Sequence, residues 1–264
     1  MAVVYSSVST KGGVGKTTLC RHLGIAKVKK GFKVLIIDLC QNGDVATRLG
    51  YDRYSFDYDT RDWVTGGVPF ESVMQHDEET GIDFIPGSNL VDKIQEDAER
   101  KRKLRYEWVL KEKIDEIKDR YDYIFIDNHP SESGKMILMS MIASDIVLIP
   151  LMLDISALLA TLRTVELIRD IKRADVDIDY KIVPFAVEFS KGFTTVLDDT
   201  KKLLKAEKDI TNVTNTAIRY SSNIKKAGMT GAVIDNTNQY YKNVLADYDA
   251  LAEELDHQTV LVER

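Results

Sequence analysis

The chain has 264 residues, 44% of them hydrophobic and 30% charged, with a formal net charge of −6. This is the composition of an ordinary folded α/β-sized protein with a sizeable core, and the acidic balance excludes a molecule that coats nucleic acid over its whole surface while leaving room for a local basic patch. Two cysteines, Cys20 and Cys40, cannot alone supply the four thiolates of an iron–sulfur or structural zinc centre.

Residues 2–8 are apolar and β-rich, and they lead into TKGGVGKTT at positions 10–18 and a helix-compatible run over 17–30. The run KVLIID (33–38) reads as a second strand, entered through Gly31 as a helix stop. A polar stretch (39–44) and a short helix (45–49) follow. Residues 51–62, rich in Tyr and Asp, read as loop, and 63–74 as helix in pieces, broken at Gly66, Gly67 and Pro69. Residues 83–86 form a short strand candidate.

Residues 92–120 read as one long charged helical region, in which Leu110, Ile114, Ile117 and Tyr121 turn a single face inward. Its basic run RKRKLR (100–105) is flanked by Glu96, Asp97, Glu99 and Glu107, the pattern of a solvated face. Buried strands are expected at YDYIFID (121–127), DIVLIPL (145–151) and KIVPFAV (181–187). Pro184 cannot donate to a central ladder, so a bulge or break is expected there, near the ligand. Helices are expected over 155–174, over 194–208 with Val196, Leu197, Leu203 and Leu204 as apolar positions, over 221–227 and over 240–255, with a strand at 216–219. The alternation implies an α/β fold: a single doubly wound, mostly parallel sheet with helices on both faces, one domain over 1–264. The longest apolar candidate, 142–153, is interrupted by Ser144, Asp145 and Pro150, short of the ~18 residues of a membrane span. With no signal-peptide pattern at the start, a cytoplasmic protein is expected.

Strand, glycine-rich turn and helix in succession aim consecutive backbone N–H groups and a helix N-terminus at one anion. Gly12, Gly13 and Gly15 let the backbone wrap phosphate oxygens where a Cβ would collide. Lys16 supplies charge to the β and γ phosphates and Thr17 a hydroxyl to Mg²⁺, with Val14 and Thr18 completing the loop. A nucleotide is the expected ligand and the P-loop NTPase fold the expected architecture.

The loop lacks the usual first glycine, having Thr10 there, and carries an extra lysine, Lys11. In this it resembles the deviant Walker A loop of the ParA/MinD family of P-loop ATPases. The resemblance implies ATP and Mg²⁺ as cofactors and an ATP-bound homodimer in which Lys11 reaches the partner's nucleotide and stabilises charge on the transferred phosphoryl group. YDYIFIDNHPS (121–131) resembles the family's Walker B segment, YDYIIIDTPPS, so Asp127 is expected to hold Mg²⁺ through water. Asn128 and His129 depart from that pattern, and His129 either packs or touches the nucleotide. DIVLIPLMLDISAL resembles the next family strand and its loop. NTAIRYSSNIKKA (215–227) is similar to the family's strand and loop closing over the base, which implies Arg219, with Phe185 and Ala186, as adenine contacts.

The family carries Asp-Leu-Asp-Pro-Gln-Gly-Asn after the second strand; here the run is Asp38, Leu39, Cys40, Gln41, Asn42, Gly43, Asp44. Asp38 retains its role toward a Mg²⁺-bound water, which gives Lys11, Lys16, Asp38 and Asp127 as the catalytic set and Thr17, Asp38 and Asp127 as the metal set. Cys40 stands where the family has a water-orienting aspartate, and a thiol is a poor acceptor for that water. Hydrolysis is therefore expected to be slow, or to depend on Asp44 or a partner. Among branches, the chain looks like the short ParA-type partition ATPases. It has no cysteines after the Walker B strand, as nitrogenase iron protein requires, and its end, LAEELDHQTVLVER, lacks the basic amphipathic membrane helix of MinD-type proteins. The resemblance implies plasmid or chromosome partition by a nucleoid-associated protein. It would bind DNA non-specifically through Arg219, Lys225 and Lys226, or through Lys201, Lys202 and Lys205, with a ParB-like centromere-binding partner and no membrane. The alternative it leaves is an ATP-gated dimeric scaffold, or a protein-positioning factor with little hydrolysis.

Overall fold

The most apolar runs of the chain become the middle of one sheet. The computed structural model describes residues 1–102, 105–129, 134–188, 193–230, 232 and 239–262. Its strands are β1 (Val3–Ser7), β2 (Val34–Leu39), β3 (Gln75–Asp77), β4 (Ile82–Ile85), β5 (Tyr123–Asn128), β6 (Ile146–Leu151), β7 (Asp179–Val187) and β8 (Ile218–Arg219). They form an eight-stranded sheet in the order β3-β4-β2-β5-β1-β6-β7-β8. Every neighbouring pair is parallel except β3 with β4. The helices are α1 (Lys16–Lys29), α2 (Asp44–Arg48), α3 (Phe70–Val73), α4 (Lys93–Lys101), α5 (Val109–Asp115), α6 (Lys135–Ile142), α7 (Ile155–Arg173), α8 (Phe193–Lys208), α9 (Ser222–Thr230) and α10 (Gln239–Val262).

Strand alternation divides the core between the two faces. Tyr5, Ile36, Phe84, Phe125 and Leu148 pack with α1, α2, α9 and α10. On the other face Val4, Leu35, Ile37, Ile124 and Ile126 pack with α4 and α5, and Val147, Ile149 and Ile182 with α6, α7 and α8. Parallel strands covered on both sides are the expected doubly wound arrangement. The order reverses about β1, which places a crevice at the carboxyl ends of the central strands. Register does the rest: Ser7 and Asp38 both stand opposite Asp127.

One local expectation is corrected, and two details are added to the sequence reading. Residues 92–120 are not one helix: Arg105 adopts φ 58, a left-handed turn separates α4 from α5, and α5 ends at Asp115. The stripe Leu110, Ile114, Ile117 and Tyr121 is nonetheless buried, its last two members beyond the helix. Polar QHD at β3 adds an antiparallel edge strand that apolar patterning does not mark. On α8, Leu197 and Leu204 are buried but Val196 and Leu203 are about half exposed, at 48% and 51%. The disruption expected around Pro184 is present. Ile182 bonds to the 212–214 segment, Pro184, two residues on, faces the same side without an N–H, and pairing with β8 begins only at Phe185, with a register shift before Val187. Among the described residues no helix is long and apolar enough to cross a membrane.

Candidate functional site

The loop between β1 and α1 is built as an anion cradle. Gly13 (φ 73) and Gly15 (φ 96) take left-handed conformations that favour glycine. At Gly15 a Cβ would also lie 2.1 Å from the Phe185 ring, so the ring's seat against the loop requires glycine. The first turn of α1 has no side-chain cap and no acidic residue, leaving its N–H groups available to an anion. Lys16 is buried, its Nζ 3.5 Å from the Lys11 carbonyl oxygen. Burial draws its pKa down and the nearby Asp127 carboxylate opposes that. Gly13, Gly15, Lys16, Thr17 and Thr18 line a cavity of about 570 Å³.

Beside Lys16 and Thr17 two strand ends bring carboxylates together. Asp38 and Asp127 are fully buried and paired across β2 and β5. Asp38 accepts from the backbone N–H of Cys40 at 2.7 Å and of Val45 at 3.0 Å. Asp127 accepts from the Cys40 thiol at 3.6 Å through Oδ2, while its Oδ1 is buried without a partner. Burial raises the Asp127 pKa to about 6, offset by the Thr17 hydrogen bond and Lys16. Burial and then the Asp127 charge raise Asp38 well above the carboxylate range, and burial with both carboxylates does the same to the Cys40 thiol. Two desolvated carboxylates with an orphaned oxygen, beside a lysine and a threonine, fit a cation. Asp44 also lines the cavity.

Lys11 lies outside the cavity lining. Its Nζ is 2.9 Å from both carboxylate oxygens of Asp154. Asp154 is the N-cap of α7, accepting from the Ala157 N–H at 2.9 Å and from the Ser156 hydroxyl. Lys11 and these bonds hold its carboxyl well below the usual range.

The far end of the cavity is formed by Phe185, Ala186, Ile218, Arg219, Tyr220 and Tyr248. Ala186 has φ 54, which lets the chain turn beside the bulge. Arg219 forms a two-pronged pair with Asp247 at 2.6 and 2.7 Å.

With this geometry in place, comparison with known proteins becomes specific. Residues 3–182 match the family model described as AAA domain. The chain belongs to that family, as a ParA/MinD-type ATPase. An uncharacterised protein of Pseudomonas putida KT2440 is 31% identical over 163 residues, 60% of this chain and 59% of that protein, so the match spans about three fifths of its length. The chromosome partitioning protein ParA of Caulobacter vibrioides is 31% identical over 171 residues, 63% of each chain. The sporulation initiation inhibitor protein Soj of Bacillus subtilis is 25% identical over 208 residues, 78% of this chain and 81% of that one. Among solved structures, the ATP complex of the D38A variant of Cyanothece McdA is similar with a TM-score of 0.82 at 19% identity, covering 97% and 96% of the two chains. Cobyrinic acid a,c-diamide synthase of Mycobacterium smegmatis with ADP and magnesium has a TM-score of 0.77 at 21% identity, covering 96% and 93%. MinD of Aquifex aeolicus has 0.74 at 24%, covering 95% and 97%. These likenesses bear on the fold.

In this ParA/MinD-type chain Lys16 and Thr17 line the cavity and interact with Asp127, which stands opposite Asp38; Lys11, Gly12, Val14, Asp38 and Asp127 themselves are not part of the lining. Asn128 reaches across to β1, donating to the Ser6 hydroxyl at 2.9 Å and the Ser7 carbonyl at 3.0 Å, and His129 lines the cavity beside it. Residues 130–131 of the Walker B segment and 103–104 of the basic run lie outside the described residues. Lys225 and Lys226 are exposed on α9, Lys225 at the cavity wall, and on α8 Lys202 pairs with Asp199 at 3.2 Å beside half-buried Lys201 and exposed Lys205. Arg48 of α2, Met152 and Tyr248 of α10 line the site without having been singled out from sequence. Asp154, the partner of Lys11, was likewise not singled out from sequence.

Proposed function

We propose that this chain is an ATP-dependent partition ATPase that forms a nucleotide-sandwich dimer and binds DNA non-specifically, moving plasmid or chromosomal cargo with a ParB-like partner. The observation that carries the ATP reading is the glycine loop with Lys16 and Thr17 lining the cavity, both side chains interacting with the buried Asp127 carboxylate that pairs in register with Asp38. Thr17, Asp38 and Asp127 would hold Mg²⁺, which supplies charge neutralisation for the phosphates. Lys16 would orient the β and γ phosphates, and the amides at the start of α1 would accept the developing charge. Phe185 and Ala186 form an apolar wall for the base, and the Asp247-held Arg219 closes that end. McdA is solved with ATP and the synthase of M. smegmatis with ADP and magnesium, and the relatives Soj and ParA carry sporulation and partition names, which supports both halves of the reading.

DNA binding rests on Lys225 and Lys226, exposed beside the cavity wall, where nucleotide state could gate them. The test is turnover with and without non-specific DNA, together with ATP-dependent retention on DNA across a salt series. Retention is expected to fall steeply with salt and to vanish in Lys225→Glu with Lys226→Glu. Salt-independent retention, or retention unchanged in that variant, overturns this assignment.

One observation favours slow hydrolysis. The Cys40 thiol points to Asp127 rather than offering an acceptor to the attacking water. Cys40→Asp is expected to raise turnover, and a rate no higher than wild type sinks this reading.

A further inference from the structure

Cys40 does more than remove a carboxylate, because it brings sulfur beside two buried carboxylates. One ligand atom from each of Asp38, Cys40 and Asp127 can be chosen so that all lie within 4.8 Å of one another, and all three residues are buried. Cys40 Sγ stands 3.6 Å from Asp127 Oδ2. Two ligands of one tetrahedral zinc ion, sulfur at about 2.3 Å and oxygen at about 2.0 Å from the metal, are about 3.5 Å apart. The thiol and the carboxylate are therefore already spaced as one edge of such a polyhedron.

A second observation is independent of that spacing. Asp127 Oδ1 is fully buried with no hydrogen-bond partner, a state that is costly to leave uncompensated. The backbone holds the third ligand: the Cys40 and Val45 amides each donate to Asp38, fixing its carboxylate beside the thiol while each oxygen keeps a lone pair. Access exists, since Cys40 and Thr17 both line the cavity.

We propose that Asp38, Cys40 and Asp127 form a binding site for a thiophilic divalent cation, Zn²⁺ above all, coordinated directly by one thiolate and two carboxylates. Binding displaces the thiol proton to solvent, and the fourth position stays open to water or a phosphate oxygen. A Mg²⁺ ion held through water has no use for sulfur, whereas zinc and cobalt prefer it, so the cysteine changes which metal the pocket selects. Occupied by Zn²⁺ in this way, the carboxylates are no longer available to Mg²⁺. The inference rests on the phosphate-site reading for its location only and requires neither nucleotide nor turnover.

The test uses the full metal-free chain titrated with Co²⁺, which reports thiolate ligation by a near-ultraviolet charge-transfer band. One equivalent per chain is expected to develop the band and Zn²⁺ to abolish it by displacement. Cys20→Ser is expected to keep the band and Cys40→Ser to lose it. Cys40→Ser should also bind Co²⁺ more than about tenfold more weakly, since loss of even an outer-shell partner costs about that much. Cys40→Asp should bind Co²⁺ with no band. Binding of a fluorescent ATP analogue with Mg²⁺ is measured on wild type separately, so failure of the metal site is distinguishable from failure of the nucleotide reading. No band in wild type, or a band that survives Cys40→Ser, overturns the proposal.

Discussion

Asp127→Asn should make the ligand-free chain more stable while destroying its site. Asp127 is fully buried, and folding raises its carboxyl from 3.8 to about 6. That difference corresponds to ~3 kcal/mol of stability lost when the group ionises in the fold, an order-of-magnitude ceiling. The sign follows from proton counts. Between 3.8 and about 6 the folded chain holds more protons than the unfolded one, so stability falls as pH rises through that window. The cost is complete above it and absent below. Asparagine keeps an acceptor for Thr17 and Cys40 without the charge. Urea unfolding in chelator is expected to show the variant more stable by up to ~3 kcal/mol at about pH 7.5 and by roughly half that at about pH 5, with Mg²⁺-dependent nucleotide binding lost. A variant no more stable than wild type at the higher pH, or a gain that does not shrink at the lower one, refutes the argument.

Gly15→Ala combines a left-handed φ of 96 with a contact of 2.1 Å to the Phe185 ring, so the ring must leave the loop. It is expected to lower the melting temperature and weaken binding of a fluorescent ATP analogue more than about tenfold, since the strain alone is ~1–2 kcal/mol; unchanged binding would mean the ring is not seated there. Asp154→Asn keeps an acceptor for the Ala157 N–H but removes the charge that holds Lys11. ATP-dependent dimerisation followed by sedimentation should shift to lower protein concentration by no more than about fivefold, the worth of an exposed ion pair; a shift in the opposite direction would show that Asp154 serves the dimer directly. His22 is fully buried with its pKa lowered from 6.5 to about 3, chiefly by desolvation. Below pH 6.5 the unfolded chain takes up this proton and the folded one does not, so His22→Gln is expected to remove ~1.4 kcal/mol per pH unit from the acid-side slope of stability. An unaltered slope would show that His22 titrates in the fold.

Legibility followed the range over which the chemistry acts. The glycine loop, Lys16, Thr17 and Asp127 could be read because an anion cradle and a strand-terminal carboxylate need fixed local spacings, and the structure sets them together as those spacings imply. The disruption at Pro184 was readable for the same reason, a missing N–H being a property of one residue. The break between α4 and α5 was not, because residues 92–120 favour helix by composition, yet the chain is already extended at Arg102 and left-handed at Arg105. Arg48 and Tyr248 come from α2 and α10, far apart in sequence, and no periodicity links either to the loop. Asp154 was not singled out, because its pairing with a lysine 143 residues earlier is a property of the sheet order.

That pairing and the buried carboxylates explain each other. Lys11 and Asp154 are both partly exposed, at 30% and 43%, so their attraction is worth little against solvent. When Lys11 leaves, Asp154 still accepts from Ala157 N–H and from Ser156, and nothing buried is orphaned. Asp127 is the reverse case: buried, with one oxygen unpartnered, it gains by any cation that enters. The chain therefore holds Lys11 by a partly exposed pair and keeps its uncompensated carboxylate oxygen buried at Asp127. Ligand binding should be driven from the buried carboxylates, and Lys11 follows because releasing it costs almost nothing.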